Sequence, residues 1–135
     1  MAESKRTVER PLSPHLSIYR LHINMVMSIV HRITGGALYF GTLLLAAWLV
    51  AAAMGEQAFA LVSQVFGHPL GLLVLFGYSW ALIHHMLGGM RHLVWDTGRG
   101  LDLKSVDILS WLTILGSLTL TAAIWAVGLA LRGGL

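Results

Sequence analysis

The chain has 135 residues, of which 56% are hydrophobic and only 11% are charged, and its mean hydropathy is +0.74. Water-soluble domains carry about 25% charged residues, so this composition excludes one and predicts an integral membrane protein. The absence of cysteine excludes disulfides, thiolate metal sites, cysteine-ligated iron–sulfur clusters and covalent haem attachment. The net charge of +3 does not indicate a nucleic-acid partner, because the basic residues stand near the ends of apolar runs.

The chain begins with a polar segment, residues 1–28. Its X-Pro bonds at Pro11 and Pro14 oppose helix formation there. Residues 15–20 then mix apolar side chains with histidine and arginine, a composition typical of a segment lying along the membrane interface. This interfacial segment is either a simple tether or a docking surface for a cytoplasmic partner, and its composition leaves both open.

Three apolar runs follow, each long enough to cross the roughly 30 Å hydrocarbon layer. They predict transmembrane helices at about 29–55, 68–96 and 106–131 within one anchor domain, residues 1–135. Each run is apolar around most of its circumference, which argues against a helix lying on the membrane surface. The first run is longer than the core of a signal peptide and follows a polar segment, which disfavours cleavage. The predicted fold class is an all-α membrane protein with three transmembrane helices.

Basic residues flank the runs unevenly. They are common before the first helix and between the second and third, whereas the connection 56–68 has none. By the positive-inside rule, the N-terminus and the second connection are cytoplasmic. The acidic residues Glu3 and Glu9 disfavour a transit peptide, so we expect a bacterial inner membrane. The basic residues are Lys5, Arg6, Arg10, Arg20, Arg32, Arg91, Arg99, Lys104 and Arg132.

The end of the second run carries histidines at helical spacing. His85, Gly89 and His92 share one helix face, with His85 about 10 Å deeper in the membrane. A buried neutral imidazole suits iron, a glycine lets a flat macrocycle approach, and Arg91 and His92 lie where propionates need partners. An interhelical hydrogen bond and simple close packing remain the alternative. His84 points about 100° away and cannot serve the same iron from that face.

The start of the first run combines a hydroxyl with cations. Ser28 and Arg32 share a face, with His31 beside them. A hydroxyl and a guanidinium could bind a quinone carbonyl and stabilise negative charge during its reduction. Residue type alone favours an ordinary basic flank, so both interpretations stay open. Asp96 could form a charge pair with an arginine or supply protons to a quinone, and the charge pair is the simpler role.

The third run carries a stripe of small polar residues. Ser110, Thr113, Ser117 and Thr121 recur at helical spacing. Such a stripe is typical of close helix packing in membranes. We therefore assign it no chemical role.

Two motifs connect these residues to a known family. One is Arg10-Pro11-Leu12 followed by Ser28-x-x-His31-Arg32-x-Thr34, and the other is His85-x-x-x-Gly89-Met90-Arg91-His92-Leu93-x-Trp95-Asp96-x-Gly98. In order and spacing they resemble the two signatures of the cytochrome b membrane-anchor subunits of succinate dehydrogenase, respiratory complex II. One departure is Leu21, where many relatives carry proline.

The resemblance implies a bundle with a second small hydrophobic anchor subunit. The two anchors share one haem b, with one axial histidine from each, and His85 matches the ligand position. His84 is the less favoured ligand, because the signature fixes the distance from His85 to Gly89. Ser28 and Arg32 match quinone-binding positions. The surroundings of the haem propionates and the quinone comprise His31, Arg91, His92 and Asp96.

The resemblance also implies a function within a larger enzyme. A flavoprotein subunit and an iron–sulfur subunit would dock on the cytoplasmic face, oxidise succinate and pass electrons to ubiquinone. The chain has no flavin-binding glycine motif, so it would not oxidise succinate itself. Two alternatives are a fumarate reductase anchor and a haem-free structural anchor. A transporter is disfavoured, because the polar groups gather at one membrane face.

Overall fold

Four α-helices make up the fold, as seen in a computed structural model that describes residue 18 and residues 20–133. Three of them are long and apolar enough to cross a membrane. This result confirms the predicted all-α class with three transmembrane helices. In chain order the helices are α1 (Ile23–Met54), α2 (Glu56–Gly67), α3 (Pro69–Asp96) and α4 (Leu103–Leu131).

The helix ends follow local chemistry. Between α1 and α2 the chain turns at Gly55, whose φ of 108° disfavours a side chain. Pro69 opens α3, where a proline loses no intrahelical hydrogen bond, and the His68 ring caps the helix by accepting the Leu70 N–H at 3.3 Å. Asp102 caps α4 by accepting the Ser105 N–H at 3.0 Å.

The observed boundaries differ from the expected ones at two places. Helix α1 starts at Ile23 instead of residue 29, so its first turns belong to the segment expected to be interfacial. Residues 1–17 and 19 of that segment lie outside the described residues. Helix α2 occupies the connection 56–68, because no proline or glycine interrupts residues 56–66 and Glu56 suits a first turn. Its 12 residues are too short to span the membrane.

Helix α3 packs against both other membrane helices. A Cβ at Gly41 of α1 would overlap the Tyr78 ring of α3, so this glycine permits the close approach. On the other side, the rings of Phe76 and Trp125 meet at 5.4 Å between centroids. The most deeply buried side chains are mostly small or polar, as is typical where transmembrane helices pack against one another. They are Met27, Thr34, His84, Ser110, Ser117 and Thr121.

Candidate functional site

A cavity of about 430 Å³ lies between the start of α1, the end of α3 and the start of α4. Its lining combines a hydroxyl, an amide, two imidazoles and two guanidinium groups with apolar side chains, a mixture suited to a polar ring system. The lining residues are Asn24, Ser28, His31, Arg32, Arg91, His92, Trp95, Leu101 and Val106.

Another cavity, of about 500 Å³, lies between α1, α2 and α3. Apolar side chains line almost all of it, and Gln64 and His68 are its polar residues. Its lining residues include no Asp, Glu, Lys or Arg that could stabilise a ligand gaining negative or positive charge. We therefore place the candidate site in the cavity of about 430 Å³.

Five of the predicted site residues meet at this cavity, two from α3 and three from α1. Three other predicted residues, Asp96, His85 and the less favoured ligand His84, do not line it. Asp96 is exposed at the end of α3, and His85 lies deeper, behind His31. The residues that meet are Ser28, His31, Arg32, Arg91 and His92.

The His85 ring is held against α1 by its Nδ1 atom. This atom lies 3.1 Å from the His31 carbonyl oxygen and 3.4 Å from the Thr34 hydroxyl. Because a carbonyl only accepts, Nδ1 carries the proton and Nε2 is left as the nitrogen with a free lone pair. A Cβ at Gly35 would stand 2.9 Å from His85 Cε1, so glycine makes room for the ring. The geometry thus holds the ring while leaving Nε2 available.

His84 faces the opposite neighbour. Its side chain is 1% exposed, and Nδ1 lies 3.1 Å from the Ser117 hydroxyl oxygen on α4. The Trp80 ring packs against it at 5.1 Å between centroids. His84 is therefore enclosed within this chain and does not reach the face that His85 occupies.

His31 connects His85 to the cavity. Its ring stacks on the His85 ring at 4.0 Å with a 13° angle between planes, and it contacts the His92 ring edge-on at 5.3 Å. A Cβ at Gly88 would overlap this ring, which explains the glycine there. Within the described part of the chain, His31 Nε2 is buried without a hydrogen-bond partner. That atom is free to bind a ligand in the cavity.

Arg91 is a buried cation at the cavity wall. The side chain is 5% exposed, its Nη1 donates to the Ser110 hydroxyl at 3.0 Å, and its guanidinium lies 4.9 Å from the Trp95 ring centre. Trp95 is itself fixed by donating to the Gly100 carbonyl at 2.9 Å. Among the described residues, Arg91 Nε has no hydrogen-bond partner. This guanidinium keeps donor capacity for an anion.

Several lining residues were not predicted. Asn24 precedes Ser28 by one helical turn, and its Oδ1 is buried with no partner among residues 20–133. The i, i+4 spacing from Ser28 was the signal that could have identified it. Leu101 and Val106 give no such signal, because only the fold brings the loop before α4 and the first turn of α4 to this cavity.

Comparisons with known proteins agree with this architecture. The family described as "Succinate dehydrogenase/Fumarate reductase transmembrane subunit" matches residues 6–124. The chain is 46% identical over 111 residues to the succinate dehydrogenase cytochrome b556 subunit of Paracoccus denitrificans, covering 82% of this chain and 85% of that protein. It is 37% identical over 127 residues to the protein of that name from Rickettsia felis, covering 93% and 99%.

A mitochondrial protein is similar as well. The succinate dehydrogenase cytochrome b560 subunit of Sus scrofa is 39% identical over 119 residues, which cover 84% of this chain and 70% of that protein. The family match includes α1, α2, α3 and most of α4, together with both sequence motifs. The chain therefore belongs to the family of cytochrome b membrane-anchor subunits of succinate dehydrogenase.

Proposed function

We propose that this chain helps to hold a b-type haem and forms part of the site where a succinate dehydrogenase reduces ubiquinone. The observation that carries the proposal is the cavity at the ends of α1 and α3. It brings Ser28 and two guanidinium groups together with His31, whose ring stacks on His85.

The proposed iron ligand is His85. Its Nδ1–H donates to the His31 carbonyl, an arrangement that fixes the tautomer and would leave Nε2 as the atom that binds iron. A Cβ at Gly89 would meet nothing within 4 Å, so this side of α3 has room for a planar group. Similar proteins are named cytochromes b556 and b560, which supports haem as that group. When bound, a b-type haem supplies a one-electron carrier inside the membrane.

The cavity also contains side chains that could bind the carboxylates of the haem propionates. An arginine buried in a membrane protein is costly unless it is paired, and among the described residues Arg91 contacts a serine hydroxyl and an indole ring and no acid. His31 and His92 line the same cavity. We assign these three side chains to the haem propionates and their surroundings, with Asp96 at the exposed edge.

Ser28 and Arg32 are the proposed quinone-binding residues. Reduction of a quinone consumes two electrons and two protons, and negative charge develops on the ring oxygens as electrons arrive. The Ser28 hydroxyl would donate to one carbonyl oxygen and fix the ring orientation. The Arg32 guanidinium would stabilise the developing negative charge.

The proposed partners are a second small hydrophobic anchor, an iron–sulfur subunit and a flavoprotein subunit. Large apolar side chains remain exposed on all three membrane helices, which leaves surface for lipid and for the second anchor. That anchor would contribute a second histidine to hold the haem. The basic flanks favour a cytoplasmic N-terminus in a bacterial inner membrane. The family description includes fumarate reductase, but the relatives above are named for succinate dehydrogenase, which favours succinate oxidation.

Absorbance spectra of the purified complex test this proposal. We expect a dithionite-reduced haem spectrum from the unmodified complex, loss of the low-spin signal in His85→Ala, and an unchanged signal in the control His68→Ala at the far end of α3. A low-spin spectrum that survives His85→Ala would reject the ligand assignment. A colourless complex would reject haem binding and favour the haem-free anchor.

A further inference from the structure

We propose that Ser117 and Ser110 of α4 are positioning residues that fix the rotation of α3 about its axis. Ser117 would hold His84 so that His85 faces α1, and Ser110 would hold Arg91 in the cavity. This inference rests on the proposed function, since it concerns the ligand and the cation assigned there.

The two hydrogen bonds share one helix register. His84 Nδ1 lies 3.1 Å from Ser117 Oγ, and Arg91 Nη1 lies 3.0 Å from Ser110 Oγ. Arg91 follows His84 by seven residues on α3, and its partner Ser110 precedes Ser117 by seven residues on α4. This matching spacing is expected for two antiparallel helices. The contact between the Phe76 and Trp125 rings continues the register toward the other membrane face. The interface between α3 and α4 thus keeps one register along these contacts and includes two side-chain hydrogen bonds.

Apolar packing alone would not set this rotation. Lipid tails are as apolar as leucine, so an apolar helix in a membrane gains little from presenting one apolar face over another. Groups that would otherwise be left unsatisfied in hydrocarbon do favour one rotation. His84 is 1% exposed, Arg91 is 5% exposed, and both serines are fully buried.

The hydroxyl protons define the direction of each bond. Ser117 donates its proton to the Ile114 carbonyl at 2.9 Å, and Ser110 donates to Val106 at 2.7 Å. Each serine oxygen is therefore an acceptor toward α3, and His84 Nδ1 carries the proton. Each serine thus accepts one hydrogen bond from a buried side chain of α3, Ser117 from His84 Nδ1 and Ser110 from Arg91 Nη1.

The consequence for His85 follows from helix geometry. Consecutive side chains are about 100° apart around a helix. With His84 held against α4, His85 is directed at α1, where its Nδ1 meets the His31 carbonyl at 3.1 Å. Loss of the Ser117 hydroxyl would let α3 rotate and would loosen the proposed ligand.

The same helix face provides matched controls. Thr113 is 4% exposed and Thr121 is 1% exposed, so both are as deeply placed as the serines. Their hydroxyls donate to carbonyls of α4 itself, those of Leu109 at 2.8 Å and Ser117 at 2.7 Å. Among the described contacts, neither threonine hydroxyl bonds to α3. Removing these hydroxyls tests packing without touching the interhelical bonds.

The experiment compares Ser117→Ala, Ser117→Thr and Thr121→Val in the complete membrane complex. Haem affinity is measured by competition with apomyoglobin, and iron coordination by electron paramagnetic resonance of the low-spin signal. We expect Ser117→Ala to weaken haem binding on the order of 10-fold, the size typical of lost outer-shell support, and to shift the g-values. Ser117→Thr should restore both, and Thr121→Val should match the unmodified complex.

Each other outcome overturns the inference. Unchanged affinity and g-values in Ser117→Ala would show that the bond does not position His85. Equal changes in Ser117→Ala and Thr121→Val would reveal a general packing effect. If neither Ser117 variant assembles, the volume at this site matters and the hydroxyl does not. A colourless unmodified complex would instead refute the proposed function itself.

Discussion

The two arginines at the cavity differ in burial and in the side chains that hold them. Arg91 is buried and fixed by the Ser110 hydroxyl and the Trp95 ring. Arg32 is exposed, and the described residues offer it no hydrogen bond. A cation held by other side chains suits a permanently bound anion, whereas a cation without such partners suits a substrate that gains and loses charge in each turnover. This contrast supports assigning Arg91 to propionates and Arg32 to the quinone.

Arg32→Leu should therefore separate two activities of the complex. We expect ubiquinone reduction to fall by about 10²-fold, the loss typical when one charge-stabilising donor is removed. Succinate oxidation measured with a soluble artificial acceptor should stay unchanged, because electrons then bypass the cavity. Steady-state assays with both acceptors provide the measurement.

Arg99→Leu is the matched control for this prediction. Arg99 is exposed and stands outside the cavity lining, so it has the same charge without the proposed role. It should leave both activities unchanged. Equal losses of both activities in Arg32→Leu would point to defective assembly and would contradict a specific role at the quinone.

At the scale of the helices, hydropathy was sufficient to predict the membrane spans. The ends of the helices were harder to predict, because a helix does not end where the membrane ends. Helix α1 continues to Ile23 through a segment that includes Asn24 and Ser28. Helix α2 was missed since its 12 residues are neither long enough for a span nor clearly bounded by caps. Length and apolarity therefore predicted the spans, and local capping decided the boundaries.

From residue spacing alone, the site was predictable only where its residues share a helix, and the resemblance of the two motifs to one family was what grouped residues of α1 and α3. Spacing along α1 placed Ser28 and Arg32 on one face, and spacing along α3 separated His84 from His85. The partnership of Arg91 with Ser110 could not be predicted, because spacing within one helix says nothing about the register between two helices. Contacts between helices are set by tertiary packing.

The energies of the α3–α4 hydrogen bonds fit an orienting role. Interhelical hydrogen bonds in membrane proteins contribute about 0.6 kcal/mol on average and up to about 1.7 kcal/mol, and a tenfold loss of haem affinity corresponds to the upper part of this range. Losing one such bond is too small a change to prevent insertion or assembly of helices of 28 and 29 residues. It is large enough to alter the preferred rotation of α3. Variants at Ser117 should therefore assemble with an altered site.

The start of α4 provides a prediction outside the membrane. The Ser105 hydroxyl and the Ser105 N–H both donate to Asp102 and lower the pKa of its carboxyl. A lowered pKa in the folded state means that the cap stabilises α4 above the unfolded pKa of about 3.9 and is lost as the pH falls through the folded value. Amide exchange at Ser105 should therefore accelerate upon acidification beyond its intrinsic pH dependence.

Three variants isolate this cap. Asp102→Ala should speed exchange at Ser105 at neutral pH, and Asp102→Asn should keep slow exchange while removing the additional acid dependence. Asp107→Asn, an exposed carboxyl in the second turn, should behave like the unmodified chain. Identical exchange in Asp102→Ala and the unmodified chain would contradict the capping role.

On the scale of the whole molecule, the chemistry is confined to one end. The cavity, both of its arginines and the connection between α3 and α4 lie together, while the other end has an apolar cavity and a short helix without basic residues. The proposed anchor, receiving electrons from soluble subunits, would need its quinone site near the face where they dock. The distribution of basic residues and the proposed path of electrons thus favour the same orientation, with the cavity on the cytoplasmic side.

The absence of cysteine makes this orientation directly measurable, because a single introduced thiol is the only one on the chain. Arg99→Cys in the loop before α4 and Gln57→Cys in α2 are exposed positions on opposite sides of the predicted membrane. We expect a membrane-impermeant maleimide to label Arg99→Cys in inverted vesicles and Gln57→Cys in right-side-out vesicles. The unmodified chain, resolved on a gel, is the control for background labelling. The reverse pattern would place the cavity on the periplasmic side, where a cytoplasmic iron–sulfur subunit could not reach it, and would refute the proposed quinone site together with the orientation.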